Sequence, residues 1–157
     1  MFYFCYNIYN IIYKNEGLIM KKIVFVCHGN ICRSPMGEYI FKYLTKDRYI
    51  VESRATSLEE IGNDIYPPVK EILDKYAIPY DSHKATQLTI DDYNNFDIVV
   101  CFDSYNVRNV ELIANDETKV VKLLDNDIED PWYTGNYDKV YHEIYEGCIN
   151  FINKYNL

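Results

Sequence analysis

The strongest chemical signal in this sequence is the segment CHGNICRS at residues 27–34. An apolar run precedes it at residues 23–26 and a helical pattern follows it, so the segment is predicted to join a buried strand to the N-terminus of a helix. A cysteine at such a junction lies among backbone N–H groups at the positive end of the helix dipole, which stabilises its thiolate form. Cys27 is therefore a candidate nucleophile.

The same junction is suited to bind a tetrahedral oxyanion. Backbone N–H groups of the loop can donate to its oxygens, and the guanidinium of Arg33 can donate to two of them at once. Arg33 is then also placed to stabilise the charge that develops during phosphoryl transfer. The other predicted phosphate-binding positions are His28, Gly29, Asn30, Ile31, Cys32 and Ser34.

Three of these loop residues have an expected role of their own. Gly29 permits a tight turn, and Asn30 tolerates a positive φ that most residues resist. The hydroxyl of Ser34 can donate to the sulfur of Cys27 and hold it anionic.

Other interpretations of the loop remain open at this point. One is a buried structural cysteine followed by residues that cap the next helix. Another is a zinc site built from Cys27, His28 and Cys32, which lacks a second pair of ligands. Nucleotide binding by a P-loop has little support, because no Gly-Lys-Ser/Thr follows.

A thiolate that attacks a phosphate ester needs a proton donor opposite it, because an alkoxide or phenolate leaves poorly unless it is protonated. The acidic, turn-forming stretch at residues 125–135 offers Asp125, Asp127, Glu129 and Asp130. Asp130 is the best candidate, because the proline that follows it stiffens the chain. The alternative is a solvated acidic turn.

Strand and helix patterns alternate along the rest of the chain, which predicts an α/β fold in three layers with helices on both faces of a parallel sheet. The four predicted strands are residues 23–26, 49–53, 97–102 and 119–124. Predicted helices begin at Pro35 after a Ser34 cap, at Pro67, at Ser104 and at Tyr137. A capping box is predicted at Thr89 and Asp92. In such folds ligands bind beyond the carboxyl ends of the strands. This edge brings residues 27–35 and 125–135 together.

The composition bounds the class of protein. A chain of 157 residues with 48% hydrophobic and 25% charged residues is expected to form one globular domain. The net charge of -8 repels nucleic acid and anionic lipid, so we expect neither as a partner. Any bound anion must therefore be held by a local arrangement of donors.

The cysteines and the N-terminal residues bear on location and domain limits. Five cysteines, an odd number without short regular spacings, disfavour a secreted disulfide scaffold and favour a reducing cytoplasm. Residues 1–19 lack the basic region and cleavage site of a signal peptide and the apolar length of a spanning helix. We expect a flexible or non-native extension at residues 1–19 and a single domain at residues 20–157.

The residues discussed so far resemble the low-molecular-weight protein tyrosine phosphatases over about residues 20–155. The resemblance rests on VCHGNICRSPMGE at 26–38, residues 53–62, CFDSYNVR at 101–108 and DPWYTG at 130–135. It implies a flavodoxin-like sheet of four parallel strands and cofactor-free, metal-independent hydrolysis of phosphotyrosine. It also implies that Cys27 is the nucleophile, Arg33 the phosphate ligand and Asp130 the general acid.

The resemblance implies supporting roles for further residues. Ser53 and His83 match side chains that brace the loop asparagine, here Asn30, although taken alone they are an ordinary strand-end serine and a polar loop histidine. Trp132 and Tyr133 stand where the family often has two tyrosines, and they are expected to form an aromatic wall of the cleft. The implied partners are phosphotyrosine-containing proteins, and in bacteria such enzymes typically oppose tyrosine kinases.

Two positions raise questions about specificity and regulation. Glu59 stands where the family often has a large aromatic residue, so the resemblance leaves the substrate preference open. An acidic rim at Glu59 favours basic residues around the phosphotyrosine. Cys32 matches a second loop cysteine, and our hypothesis is a reversible Cys27–Cys32 disulfide that protects Cys27 from irreversible oxidation; the alternative is a small buried filler.

Three other functions share features of this pattern. An arsenate reductase of the same fold needs an additional cysteine pair, and residues 80–100 contain none. Phosphoarginine phosphatases carry threonine where Ile31 stands. A non-catalytic phosphotyrosine-binding module is expected to lack the nucleophile or the acid, and this sequence has candidates for both.

Overall fold

The computed structural model describes residues 21–157, so the extension predicted at residues 1–19 lies outside the described residues. Its elements are β1 Lys22–Cys27, α1 Arg33–Thr45, β2 Ile50–Ala55, α2 Pro67–Lys75, α3 Ile90–Asn95, β3 Ile98–Cys101, α4 Ser104–Ala114, β4 Val120–Lys122, α5 Pro131–Thr134 and α6 Tyr137–Tyr155. Among these residues, none of the helices has the length and apolar character needed to cross a membrane.

The four strands form one parallel sheet in the order β2-β1-β3-β4. The predicted α/β fold with a four-stranded parallel sheet is confirmed. The chain leaves β1 toward β2 on one side and returns to β3 on the other, so the strand order reverses between β1 and β3. In open α/β sheets this reversal opens a crevice at the carboxyl edge where ligands bind.

Strand β1 is buried on both faces, which explains its unbroken apolar run. Ile23 and Phe25 face a core shared with α1, α2 and α6. Val24 and Val26 face a second core that includes residues of β3 and α4. Because the side chains of a strand alternate between its two faces, one short strand anchors both layers of helices. Cys27 is thereby held at the end of a strand that is buried on both faces.

Helix α1 lies unusually close to β1 at Gly37. A Cβ atom at this position would lie 2.6 Å from Phe25 Cδ1, which is closer than side-chain atoms can pack, and a tight 3.1 Å from Phe102 Cζ. Glycine therefore permits the close packing that holds the N-terminus of α1 against the carboxyl end of β1. This contact was not anticipated from the sequence.

The boundaries differ from the predicted ones in small ways. Helix α1 begins at Arg33 with Cys32 as its N-cap residue, so the prediction that Ser34 caps the helix is wrong. The hydroxyl of Ser34 is instead turned toward Cys27 at the strand end. The capping box predicted at Thr89 and Asp92 is confirmed at the start of α3.

Candidate active site

Cys27 ends β1 and its sulfur lies inside the loop that leads to α1. The backbone N–H groups of Asn30 and Ser34 lie 3.3 and 3.4 Å from Cys27 Sγ, and Ser34 Oγ lies 3.0 Å from it. Asn30 has a φ of 59°, the left-handed conformation expected from the sequence, which turns its N–H inward. Donors that converge on one sulfur stabilise its anionic form.

Arg33 lies beside this loop with a side chain that is only 3% exposed. Its Nη1 donates to Asp103 Oδ2 at 2.6 Å and to the carbonyl of Ile128 at 2.9 Å, and its Nη2 donates to Asp130 Oδ2 at 3.3 Å. Burial opposes the charge, but the neighbouring Cys27, Asp130 and Asp103 outweigh it and hold the pKa of Arg33 above its ordinary value. The guanidinium is therefore a permanent cation.

One N–H donor of this guanidinium makes no hydrogen bond within the described residues. Arg33 Nε is buried and has no hydrogen-bond partner among residues 21–157. Leaving a buried donor without an acceptor costs about 1–3 kcal/mol. A phosphoryl oxygen in the loop would satisfy it, so the structure supports an oxyanion site at Arg33.

Asp130 reaches the cleft because it caps a short helix. Its Oδ1 accepts the N–H of Trp132 at 3.1 Å, and a proline at the first position of α5 sets the backbone that follows. Its Oδ2 faces Arg33. The carboxyl group thus stands beside the group predicted to bind phosphate, as a proton donor for the leaving group requires.

An open cleft brings the predicted residues together at the carboxyl edge of the sheet. The aromatic rings of Trp132 and Tyr133 stand on one side, exposed by 51% and 74%. His28 turns its ring toward Glu59, with Nε2 3.0 Å from Oε2. The cleft is lined by Cys27, His28, Gly29, Ile31, Cys32, Glu59, Glu60, Asp130, Trp132 and Tyr133.

Ser53 and His83 lie behind the loop, next to Asn30, and do not line the cleft. The side-chain amide of Asn30 donates to Ser53 Oγ at 2.9 Å and to Ser34 Oγ at 2.8 Å. His83 Nε2 lies 2.7 Å from the carbonyl oxygen of Asn30. These contacts hold Asn30 in its left-handed conformation, which otherwise costs about 1 kcal/mol or more.

Sequence reasoning missed Asp103, the closest partner of Arg33. Its Oδ1 accepts the N–H of Asn106 at 2.6 Å and caps α4, while its Oδ2 binds Arg33. The available signal was an aspartate two residues after the buried strand β3, whose end lies at the same sheet edge as Cys27. A carboxylate that caps a helix there uses one oxygen for the cap and has the other free to bind a residue of the site.

Cys32 is buried next to the nucleophile. Burial raises the pKa of its thiol, and the nearby Cys27 and Asp130 raise it further. Cys27 and Cys32 are both free thiols. Within residues 21–157, no group of three or more His, Cys, Asp or Glu side chains is arranged to hold a metal ion.

A parallel α/β sheet that carries a cysteine and an arginine in the loop at its strand-order reversal is suited to phosphoryl transfer by a cysteine nucleophile. The family model described as low molecular weight phosphotyrosine protein phosphatase matches residues 22–156. The chain belongs to this family and is a protein tyrosine phosphatase.

Similar proteins include enzymes and solved structures from several bacteria. The low molecular weight protein-tyrosine-phosphatase PtpA of Staphylococcus aureus is 37% identical over 145 residues, which covers 85% of this chain and 93% of that protein. The low molecular weight protein tyrosine phosphatase from Streptococcus pyogenes is 39% identical, with a TM-score of 0.83 over 86% of this chain and 93% of that one. YfkJ from Bacillus subtilis is 31% identical, with a TM-score of 0.83 over 91% and 100%.

Proposed function

We propose that Cys27, Arg33 and Asp130 carry out phosphotyrosine hydrolysis in this enzyme as nucleophile, phosphate ligand and general acid. The observation that carries this proposal is the position of Cys27 Sγ among inward N–H groups, beside a buried Arg33 whose Nε has no partner within residues 21–157. A nucleophile next to a guanidinium with an unpaired N–H donor is suited to bind and attack a phosphoryl group.

The first displacement forms a phosphocysteine. The Cys27 thiolate attacks phosphorus in line, while the loop N–H groups and Arg33 bind the three equatorial oxygens. Asp130 donates its proton to the tyrosine oxygen as the P–O bond breaks. The loop binds through the backbone of residues 28–34, so the side chains of His28 and Ile31 need not contact the phosphate.

The second displacement regenerates the enzyme. Asp130, now ionised, takes a proton from a water molecule that attacks the phosphocysteine, and the P–S bond breaks to release phosphate and the thiolate. Ser34 donates to the departing sulfur from 3.0 Å. In this proposal fixed donors stabilise the charge, and no metal ion takes part.

The family implies phosphotyrosine-containing proteins as substrates. We propose that these include tyrosine kinases, that nucleic acid and membranes are not partners, and that the enzyme acts in the cytoplasm. The net charge of -8 and the free thiols support these proposals.

One assay panel tests the reaction. The purified enzyme is given phosphotyrosine, phosphoarginine and arsenate with a thiol reductant, each with and without a chelator. We expect phosphotyrosine to be hydrolysed and the chelator to have no effect. Preferred hydrolysis of phosphoarginine, or reduction of arsenate, would replace the proposed reaction with that one. Binding of phosphotyrosine without turnover would indicate a binding module.

We expect Glu59 to favour substrates with lysine or arginine next to the phosphotyrosine. Its carboxylate is exposed at the cleft and close to Glu60, so it attracts a cation on the bound peptide. The substitution Glu59→Lys should lower kcat/KM for a basic phosphopeptide about two- to fivefold relative to an acidic one at low salt, as for other exposed charge pairs. Paired peptide assays at low and high salt measure this.

The matched control is Glu111→Lys, which changes the net charge equally. Glu111 lies in the C-terminal half of α4, a helix that begins at the carboxyl edge and runs away from it. This variant should keep the parental preference. If both variants lose it equally, net charge is responsible and Glu59 has no specific role.

We expect Cys32 to make oxidation of the enzyme reversible. Peroxide converts the Cys27 thiolate to a sulfenic acid, and the Cys32 thiol then displaces water to give a disulfide that thiols reduce. Cys32→Ser should recover little activity when dithiothreitol is added after peroxide treatment, whereas the parent recovers most of it. If peroxide inactivates the variant as reversibly as the parent, the disulfide has no protective role.

A further inference from the structure

Glu38 is a buried carboxylate that the proposed mechanism does not use. It lies on α1 and is 7% exposed. Its Oε2 accepts a hydrogen bond from Ser53 Oγ at 2.6 Å, and its Oε1 accepts one from Lys42 Nζ at 2.6 Å. Carboxylates are seldom buried without a cation and a donor, and Glu38 has both. Glu38 is therefore a paired, buried carboxylate that forms part of the structure behind the loop.

A chain of hydrogen bonds connects Glu38 to Cys27 through Ser53, Asn30 and Ser34, and the donor of each bond can be assigned. The backbone N–H of Thr86 donates to Asn30 Oδ1 at 3.0 Å, which fixes the side-chain amide of Asn30 with its NH₂ toward the serines. Asn30 Nδ2 then donates to Ser34 Oγ and to Ser53 Oγ. Both hydroxyls accept from Asn30, so each must give its single proton to another group.

The two serine protons have different destinations. Ser53 donates to Glu38. Ser34 has two acceptors within reach, which are Cys27 Sγ at 3.0 Å and the more distant carbonyl of Arg54 at 3.4 Å. When Cys27 is a thiol, its S–H donates to Ser34 Oγ, and the Ser34 proton turns to Arg54. When Cys27 is a thiolate, the Ser34 proton turns to the sulfur.

We propose that Glu38 is a positioning residue that acts on the nucleophile through Ser53, Asn30 and Ser34. As a carboxylate paired with Lys42, it accepts the Ser53 proton, so the Ser53 oxygen always presents a lone pair to Asn30. Asn30 is then held at both N–H groups, and Ser34 remains free to donate to the thiolate. The proposal rests on the role of Cys27 as nucleophile.

Replacing the carboxylate is expected to weaken this arrangement without removing the phosphate ligands. Without a strong acceptor the Ser53 hydroxyl can rotate, so Asn30 loses a fixed partner and the loop donors at Cys27 Sγ become less aligned. The titratable groups that face Cys27 are Arg33, Cys32, Cys101 and Asp130; those that face Glu38 are Lys42 and Tyr39. His83 adjoins Asn30. All are unchanged in the variant.

The test compares Glu38→Gln with the parent. Only the thiolate reacts with iodoacetamide, so the alkylation rate of Cys27 against pH, followed by peptide-resolved mass spectrometry, reports thiolate formation. We expect its midpoint to move upward by about 0.5–1 pH unit because fewer donors stabilise the anion. Well below that midpoint kcat should fall about three- to tenfold with the thiolate population, and KM should change less than twofold.

The matched control is Glu52→Gln, the same substitution on β2 at a carboxylate that is 45% exposed and paired with Arg54. It should leave the alkylation midpoint and kcat at parental values. Ser53→Ala removes the group that transmits the effect and should reproduce the shift. Adding Glu38→Gln to it should then cause little further change, because the two residues act in one chain.

The outcomes separate this proposal from the proposed function. If Glu38→Gln loses stability to urea but keeps the parental midpoint and kcat, Glu38 is only structural and the proposal is wrong. If Glu38→Gln does not fold, an unchanged midpoint in Ser53→Ala overturns it equally. An active Cys27→Ser enzyme would instead refute the nucleophile, whatever Glu38 does.

Discussion

The variant Cys27→Ser is expected to lose turnover of phosphotyrosine while it still binds phosphate. A serine hydroxyl in the same place stays protonated at neutral pH and attacks phosphorus poorly, so kcat should fall on the order of 10⁶-fold. The binding groups remain, since Arg33 and the loop N–H groups belong to other residues. Removing the thiolate also removes a negative charge next to the bound dianion.

Binding can be followed through the protein's single tryptophan, Trp132, which lies at the cleft. Titration with phosphate should change its fluorescence in the parent, and titration with phosphate or phosphotyrosine should change it in Cys27→Ser and in the control variant Cys27→Ala. The parent should also yield a covalent phosphoenzyme after rapid quenching with a denaturant, and neither variant should form one. A serine variant within a hundredfold of parental turnover would refute Cys27 as the nucleophile.

Asp130→Asn is expected to produce a loss that depends on the leaving group. A tyrosine phenolate has a conjugate-acid pKa of about 10 and needs a proton as it leaves, so kcat/KM for phosphotyrosine should fall roughly 10²–10⁴-fold. Aryl phosphates with more acidic phenols should lose much less in kcat/KM. Their phenol should appear as a burst followed by slow turnover, because the variant also lacks the base for the second displacement.

The control for this variant is Asp127→Asn in the same loop. Asp127 is exposed and binds Lys122 and Ser104, away from Arg33. Asparagine is also a good helix cap, so Asp130→Asn should keep α5 and the fold. An equal loss for every leaving group would show that Asp130 acts by holding Arg33, and that another group supplies the proton.

Local patterns were sufficient to predict the fold class and to locate a candidate site at the loop after the central strand. The apolar run at residues 23–26 identified the central strand, and the helix after it placed Cys27 at a helix N-terminus. The positive φ of Asn30 was also foreseeable, because asparagine tolerates it better than most residues do. Each of these features depends on neighbours along the chain.

Ser34 shows where local reasoning fails. A serine before a proline is a typical helix cap, yet α1 begins at Arg33, two residues before the predicted start at Pro35, and the Ser34 hydroxyl binds Cys27 and Asn30 instead. Cap preferences are worth about 1 kcal/mol, and the contacts of a buried loop exceed them. The contact with Cys27 was itself expected from the sequence, but the local pattern does not show that it excludes a capping role for Ser34.

The sequence by itself determined which groups can react: a thiol and a guanidinium six positions apart, and a carboxyl group stiffened by a proline. Only the tertiary structure decided what surrounds them. Asp103 lies 70 residues from Arg33 along the chain, and Ser53 lies 23 residues from Asn30. The parallel sheet brings its strand ends to one edge, and hydrogen bonds there select partners by distance in space, which one sequence does not specify.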